Sequence, residues 1–255
     1  MFRILLTACA FVLIPAVSAV ADEAASVTYL KGKAYIGSAR NGPWQPLVIG
    51  AKVTVNHFIK TGKNGLIEIT LPDRSIIRLA PETFFKIDQS LFPARQSRRF
   101  SARLLLGKMW AKVAHRLGKP RGTFDTHTPT MVAGVRGTVY DLRTAGDKST
   151  DIRVYEGKVA VGPPLIAKDA PKEEVAWPKE VSEQQWEEII LVKLQKLHIG
   201  PDGRPGRPTG FDLEKEKDSW TEWNLQRDKL KKSVSYTHLR AHETNDLISY
   251  AVVCV

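Results

Sequence analysis

Residues 65–88 read "GLIEITLPDRSIIRLAPETFFKID". Ile67, Ile69 and Leu71 alternate with Glu68 and Thr70, so the apolar residues share one face of a half-buried strand. "LPDRS" (71–75) reads as a tight reversal into a second run, "SIIRLA", and Pro81 punctuates before a third, "FFKID". The same spelling extends outward in both directions. "VTYLKGKAYIG", "RLLLGKMWAKV", "TVYDLR" and "DIRVYEGKVAVG" are short runs rich in β-branched and aromatic residues, broken by Gly, Pro, Asn and Asp. From Ala25 to Val161 the period is two, which predicts an all-β domain.

An internal echo refines this. "YLKGKAYIG", "LLLGKMWAKV" and "VYEGKVAVG" each place a Gly-Lys pair between apolar runs, and Gly32, Gly107 and Gly157 are 75 and 50 positions apart. A recurring corner of this kind suits a rolled or solenoid-like β domain, with a plain sandwich as the alternative.

"THTPTMVAGVRGTVYDLR" (126–143) raises the question of chemistry. As a phosphate cradle "GVRGT" fails, because the glycines should lead into a helix N-terminus and a strand-like run follows instead. As a bend it succeeds: Gly134 and Gly137 allow backbone shapes or close approaches that other residues resist, and Arg136 could lock the turn onto a carboxylate. Thr128 and Pro129 complete this structural motif.

The ends differ in character from the centre. Arg3, the apolar run Ile4–Ile14 and small residues up to Ala21 spell a cleavable export signal (1–21), cut after Ala19 or, favoured by Asp22-Glu23, after Ala21. Pro15 and Ser18 interrupt a run that a membrane anchor would need at about 20 apolar residues. The expected location is periplasmic or secreted, with no stable membrane span after cleavage. Residues 233–255 resemble translated sequencing-adaptor read-through, so His238, His242 and Glu243 are read as a non-native tail rather than a metal site. Both cysteines lie in these end segments, leaving about 210 residues to be held by a hydrophobic core without disulfides.

After the β domain (26–162) comes a Pro- and charge-rich linker (163–181), then a predicted two-helix appendage (182–232). "SEQQWEEIILVKLQKL" opens on a capping box, Ser182 with Gln185, and repeats apolar residues at helical spacing. The second helix, "DLEKEKDSWTEWNLQRDKLKK", carries Trp220 and Trp223. With Trp186 these tryptophans are either a docking stripe for a partner or the inner face of helices that cover the β domain.

The formal charge of +11 is uneven. Arg95, Arg98, Arg99, Arg103, Lys108, Lys112, Arg116, Lys119 and Arg121 fall in a stretch without acidic residues. Export argues against nucleic acid, leaving an acidic envelope polymer, a protein partner, or a solvated basic face. No nucleophile elbow, phosphate loop, metal-ligand spacing or cofactor motif is present, and His57, His115, His127 and His198 are isolated. A hydrolase would need carboxylates such as Glu68, Asp73, Glu82, Asp88 and Asp125 to converge in space.

Taken in order, "W-x-x-L" then "G", "T-G-x-N-G", "L-P-D-x-S-x-x-R-L-x-P", "G-K-x-W" and "T-P-T-x-V-A-G-V-R-G-T" resemble a FecR domain over about residues 26–162. The resemblance implies an elongated, rolled periplasmic β domain of the kind that senses and relays an envelope signal. Here it would be a stand-alone exported member, binding a protein or envelope polymer as sensor or scaffold without catalysis. In membrane-spanning relatives the Gly-Thr pair, here Gly137-Thr138, is associated with self-processing by attack of the Thr hydroxyl on the preceding carbonyl. One departure is Arg74, where the family usually has Gly; a change of turn type is the expectation. Protein recovered from a bacterial periplasm should give one intact mass beginning at Asp22. A mass retaining Met1–Ala21 would contradict cleaved export, and a fragment beginning at Thr138 would show a reactive turn.

Overall fold

The computed structural model describes residues 24–93, 97–115, 122–164 and 188–230. The signal segment, Arg95, Arg116, Lys119, Arg121, nearly all of the linker, Ser182, Gln185, Trp186 and the 233–255 tail lie outside the described residues.

Seven long strands, each turning near its middle, make the fold. β1 (Ala25–Lys31) runs on into β2 (Ala34–Gly37), β5 (Phe58–Thr61) into β6 (Leu66–Thr70), and β7 (Ile76–Leu79) into β8 (Phe84–Leu91). β9 (Arg99–Lys112) is continuous; β11 (Val132–Val135) runs into β12 (Val139–Thr144), β13 (Thr150–Glu156) into β14 (Lys158–Gly162), and β15 (Ile189–Val192) into β16 (Gln195–Ile199). Short strands β3 (Gln45–Pro46), β4 (Lys52–Val53) and β17 (Thr209–Gly210) trim the edges, and β10 (Thr123–His127) is inserted beside β9.

Sheet A has the order β4-β1-β6-β7-β9-β12-β13-β16-β17, antiparallel throughout. Sheet B has the order β3-β2-β5-β8-β9-β10-β11-β14-β15, antiparallel except for β9 against β10. β9 belongs to both: residues 99–106 pair in sheet B and 107–112 in sheet A. The molecule is therefore one antiparallel meander doubled over along a line of corners. A solenoid would stack parallel rungs, and β9–β10 is the one parallel pair among the described residues.

The glycines of the sequence echo sit at these corners with positive φ: Gly32 at 71°, Gly107 at 95° and Gly157 at 84°. At Gly107 a Cβ would stand 2.4 Å from the Thr83 hydroxyl and 2.6 Å from Thr83 Cα, so both conformation and space exclude a side chain. The inner faces of the two sheets meet in a continuous core that includes Ile67, Ile69, Ile77, Leu79, Phe85, Phe100, Leu104 and Met109. Each such side chain removed from water contributes roughly 1.5–3 kcal/mol. The 71–75 reversal does not change type: Arg74 itself holds φ 67°, while Leu71 N donates to Ser75 O and Asp73 accepts from Ser75 N at 2.9 Å. The hairpin's bonds impose the left-handed residue on a non-glycine.

The helical reading of 182–197 is corrected where the chain is described. Residues 189–199 form the strands β15 and β16, one running into the other with a bend at Leu194, φ 62°. Leu191, Leu197 and Ile199 are buried at alternating positions, and β14 and β13 offer each strand a ladder of backbone partners. Sheet pairing overrides a pattern that also fits 3.6 residues per turn. The second helix is split into α1 (Leu213–Glu216), capped by Asp212, and α2 (219–230), whose first turn donates Thr221 N to the Asp218 carboxylate at 2.9 Å.

Replacing Gly107 by Ala should destabilise the domain by at least about 2 kcal/mol in urea unfolding. Gly146→Ala, where a Cβ meets nothing within 4 Å, should stay within about 0.5 kcal/mol.

Candidate functional site

The two sheets have contrasting outer faces. Across sheet A the register lines up Tyr29, Glu68, Arg78, Trp110, Asp141, Arg153 and Lys196. Glu68 and Arg78 are fully buried because α2 lies over them. Arg78 Nε donates to Glu68 Oε2 at 2.8 Å, Nη2 to Asp228 at 2.7 Å and Nη1 to the Asn224 side chain at 3.2 Å. Arg227 reaches the same Glu68 oxygen at 3.0 Å, Trp110 Nε1 donates to Asp228 at 3.3 Å, and Trp220 Nε1 donates to Asp141 at 3.1 Å. Trp220 packs with Trp110, Tyr155 and Phe211 in a second core, and Trp223 stacks on Trp220 and touches Tyr29. Of the two readings of Trp220 and Trp223, their contacts are those of a helix that covers the chain's own sheet. The β-strand reading that put Glu68 on a solvent face is corrected by the same helix.

Across sheet B the corresponding row is Gln89, Ser101, Asp125, Gly134, Ala160 and Ile190. Small side chains in the middle leave a shallow groove of about 360 Å³ lined by Thr123, Asp125, Gly134, Arg136, Lys158 and Ile190, among others. No described helix covers it. Burial raises the Asp125 carboxyl above its ordinary range, against a hydrogen bond from Thr123 that works the other way. Burial likewise lowers His127, on the neighbouring row, with Asp88 opposing.

"GVRGT" spans the groove and a corner. Gly134 forms part of the floor and Arg136 the rim; Arg136 is exposed and meets no carboxylate among the described residues, so the expected lock is absent. Gly137 holds φ 60°, with the His115 ring where a Cβ would stand, 2.6 Å from its Cδ2. The Thr138 hydroxyl is buried and donates to Lys158 O at 2.8 Å, with Arg136 O at 3.2 Å. Thr128 begins a tight turn in which its hydroxyl accepts from Met131 N at 3.1 Å, with Pro129 inside the turn.

The described cations of the basic stretch do not form one surface. Arg98 is buried, ion-paired with Asp73 and bonded to Ala114 O at 3.0 Å. Arg103 pairs with Asp88 at 2.7 Å on sheet B, whereas Lys108 and Lys112 lie on sheet A beside Asp218 and Asp228. Of the described cations in the stretch, Arg99 remains exposed without a carboxylate. The candidate hydrolase carboxylates do not converge: Glu68 and Asp73 are tied to arginines and Asp88 to Lys86 and Arg103, while Asp125 stands in the groove. His198 and Asp151 form a pair at 2.9 Å on the open surface. Among the described residues no group of three or more His, Cys, Asp or Glu could hold a metal ion.

Residues 57–160 match the FecR protein family model, a span from β5 into β14 that contains the corners at Gly107, Gly137 and Gly157 and most of the groove. Over that span the chain is similar to a FecR domain. Two crystal structures of a candidate anti-sigma factor from Parabacteroides distasonis ATCC 8503, at 2.50 and 1.65 Å, are similar to it at 17% identity and TM-score 0.43. The likeness covers 62% of this chain and 61% of the length of that protein. No curated protein matches the sequence. No described helix is long and apolar enough to cross a membrane.

The contact between Asp218 and Arg143 has a defined acid sensitivity. Burial works to raise Asp218, but hydrogen bonds from Thr221 and Arg143 and the Arg143 charge outweigh it and hold the carboxyl well below its ordinary 3.8. A depressed folded value contributes stability that is present above about pH 4 and is lost as pH falls through it. Asp218→Asn keeps a good helix cap. It should lower stability at neutral pH, with wild type and variant converging below about pH 2 in pH-dependent thermal unfolding.

Proposed function

We propose that this chain is an exported FecR-type sensory or scaffold protein that acts by binding a protein partner in the bacterial envelope, without catalysis. The observation that carries the reading is the asymmetry of the two outer faces. Sheet A spends its charged and aromatic residues on α2, while sheet B presents an open groove rimmed by cations. The FecR match supports a signalling role, and the leader sequence supports export. The dispersal of the described cations, Arg98, Arg103, Lys108 and Lys112, weighs against the acidic-polymer alternative as read from that stretch alone. A Thr138 hydroxyl donating to main-chain carbonyls has its proton directed to acceptors that are not bases, which favours a structural corner over self-processing.

A photo-crosslinking residue placed at Ser101 or Ala160, on sheet B, should give partner adducts in the periplasm of the source cell. The same residue at Gln226, on the outer side of α2, should give none. Adducts from Gln226 with none from sheet B would overturn this assignment.

A further inference from the structure

We infer that the groove across sheet B receives an extended acidic peptide segment of a partner protein, its carboxylates engaging Arg99, Arg136 and Lys158. This rests on the reading of sheet B as the binding face and names what that face recognises.

Charge complementarity is the first argument. Arg99, Arg136 and Lys158 come from β9, the end of β11 and the start of β14, far apart in sequence but on one side of the groove. All three are exposed and none meets a carboxylate among the described residues. On the opposite side Lys86 and Arg103 are both paired with Asp88, at 3.2 and 2.7 Å. One rim is therefore an unpaired cationic row and the other is not.

Dimensions are the second. From β9, which borders the groove through Arg99 beside Thr123, to β15 lie four strand spacings, roughly 19 Å at about 4.8 Å each. An extended peptide of about six residues has that length at about 3.3 Å per residue. The floor of Gly134 and Ala160, with Ser101 beside Asp125 at its edge, lets a second backbone lie close, and Ile190, 52% exposed, ends the groove with an apolar contact.

Asp125 decides between peptide and polymer. A uniformly anionic polysaccharide would set a negative charge against this carboxyl, whereas a peptide can offer it a backbone N–H or a hydroxyl. The lining also gives a sugar no exposed ring to stack on, since Phe124 is buried in the core.

The test is fluorescence polarisation of the full chain with a labelled heptapeptide of alternating Glu and Ser, compared with a labelled oligogalacturonate of equal charge. Arg136→Glu with Lys158→Glu should weaken peptide binding by about tenfold or more, with thermal unfolding confirming a folded protein. Arg204→Glu with Arg207→Glu, the same charge change on an exposed turn remote in sequence, should alter it by less than about twofold. Equal losses in the two variants, equal binding of the two probes, or no peptide binding would overturn the inference. If the peptide fails while crosslinks still fall on sheet B, the ligand assignment is wrong and the binding face stands. Crosslinks confined to α2 would remove the binding face itself.

Discussion

The guanidinium of Arg78 organises one whole side of the molecule. It is completely buried and uses all three nitrogens, on Glu68 from its own sheet and on Asn224 and Asp228 from α2. Removing one partner from such a cluster leaves a charge without water or counterion, a loss of roughly 3–5 kcal/mol. The sheet cannot keep Arg78 and Glu68 dry without the helix. The helix in turn has few other buried anchors than Trp220, Asn224 and Asp228. Each element supplies what the other lacks.

That mutual dependence divides the surface. A doubled meander has two outer faces, and here one is closed by a helix from outside the 57–160 segment that matches the FecR family model. The other is left with a row of small residues and cations drawn from three strands. The corner motif contributes to both architecture and surface: Gly137 and Thr138 make the turn between sheets, while Gly134 and Arg136 belong to the groove. The bend and the candidate site are therefore adjacent uses of one short segment.

Much of the β architecture was legible because alternation is local: each strand announces its own period, and the corner glycines recur in recognisable pairs. What alternation cannot show is which polar face meets water. Glu68 and Arg78 spell an exposed face in "LIEITL" and "SIIRL", and only the distant Asn224 and Asp228 make them interior. A usable signal was present, since Arg78 is flanked by apolar residues in a strand that is buried at every position. The bent strand at 189–199 reads as a helix in sequence because its leucines and isoleucines satisfy both periods, and the choice belongs to β13 and β14. The groove was invisible in sequence for a related reason. Arg99, Arg136 and Lys158 become neighbours through strand register, whereas the contiguous basic stretch is split between two sheets by the corner at Gly107.

Hydrogen–deuterium exchange of the amides in α2, in the intact chain and in Arg78→Met, tests the central claim that this arginine clasps the helix to sheet A. The account predicts that 222–230 exchange slowly, with protection comparable to β6 and β7, and that the variant loses that protection while sheet B keeps its own. Fast exchange of α2 in the unmodified chain, or undiminished protection in Arg78→Met, would contradict it.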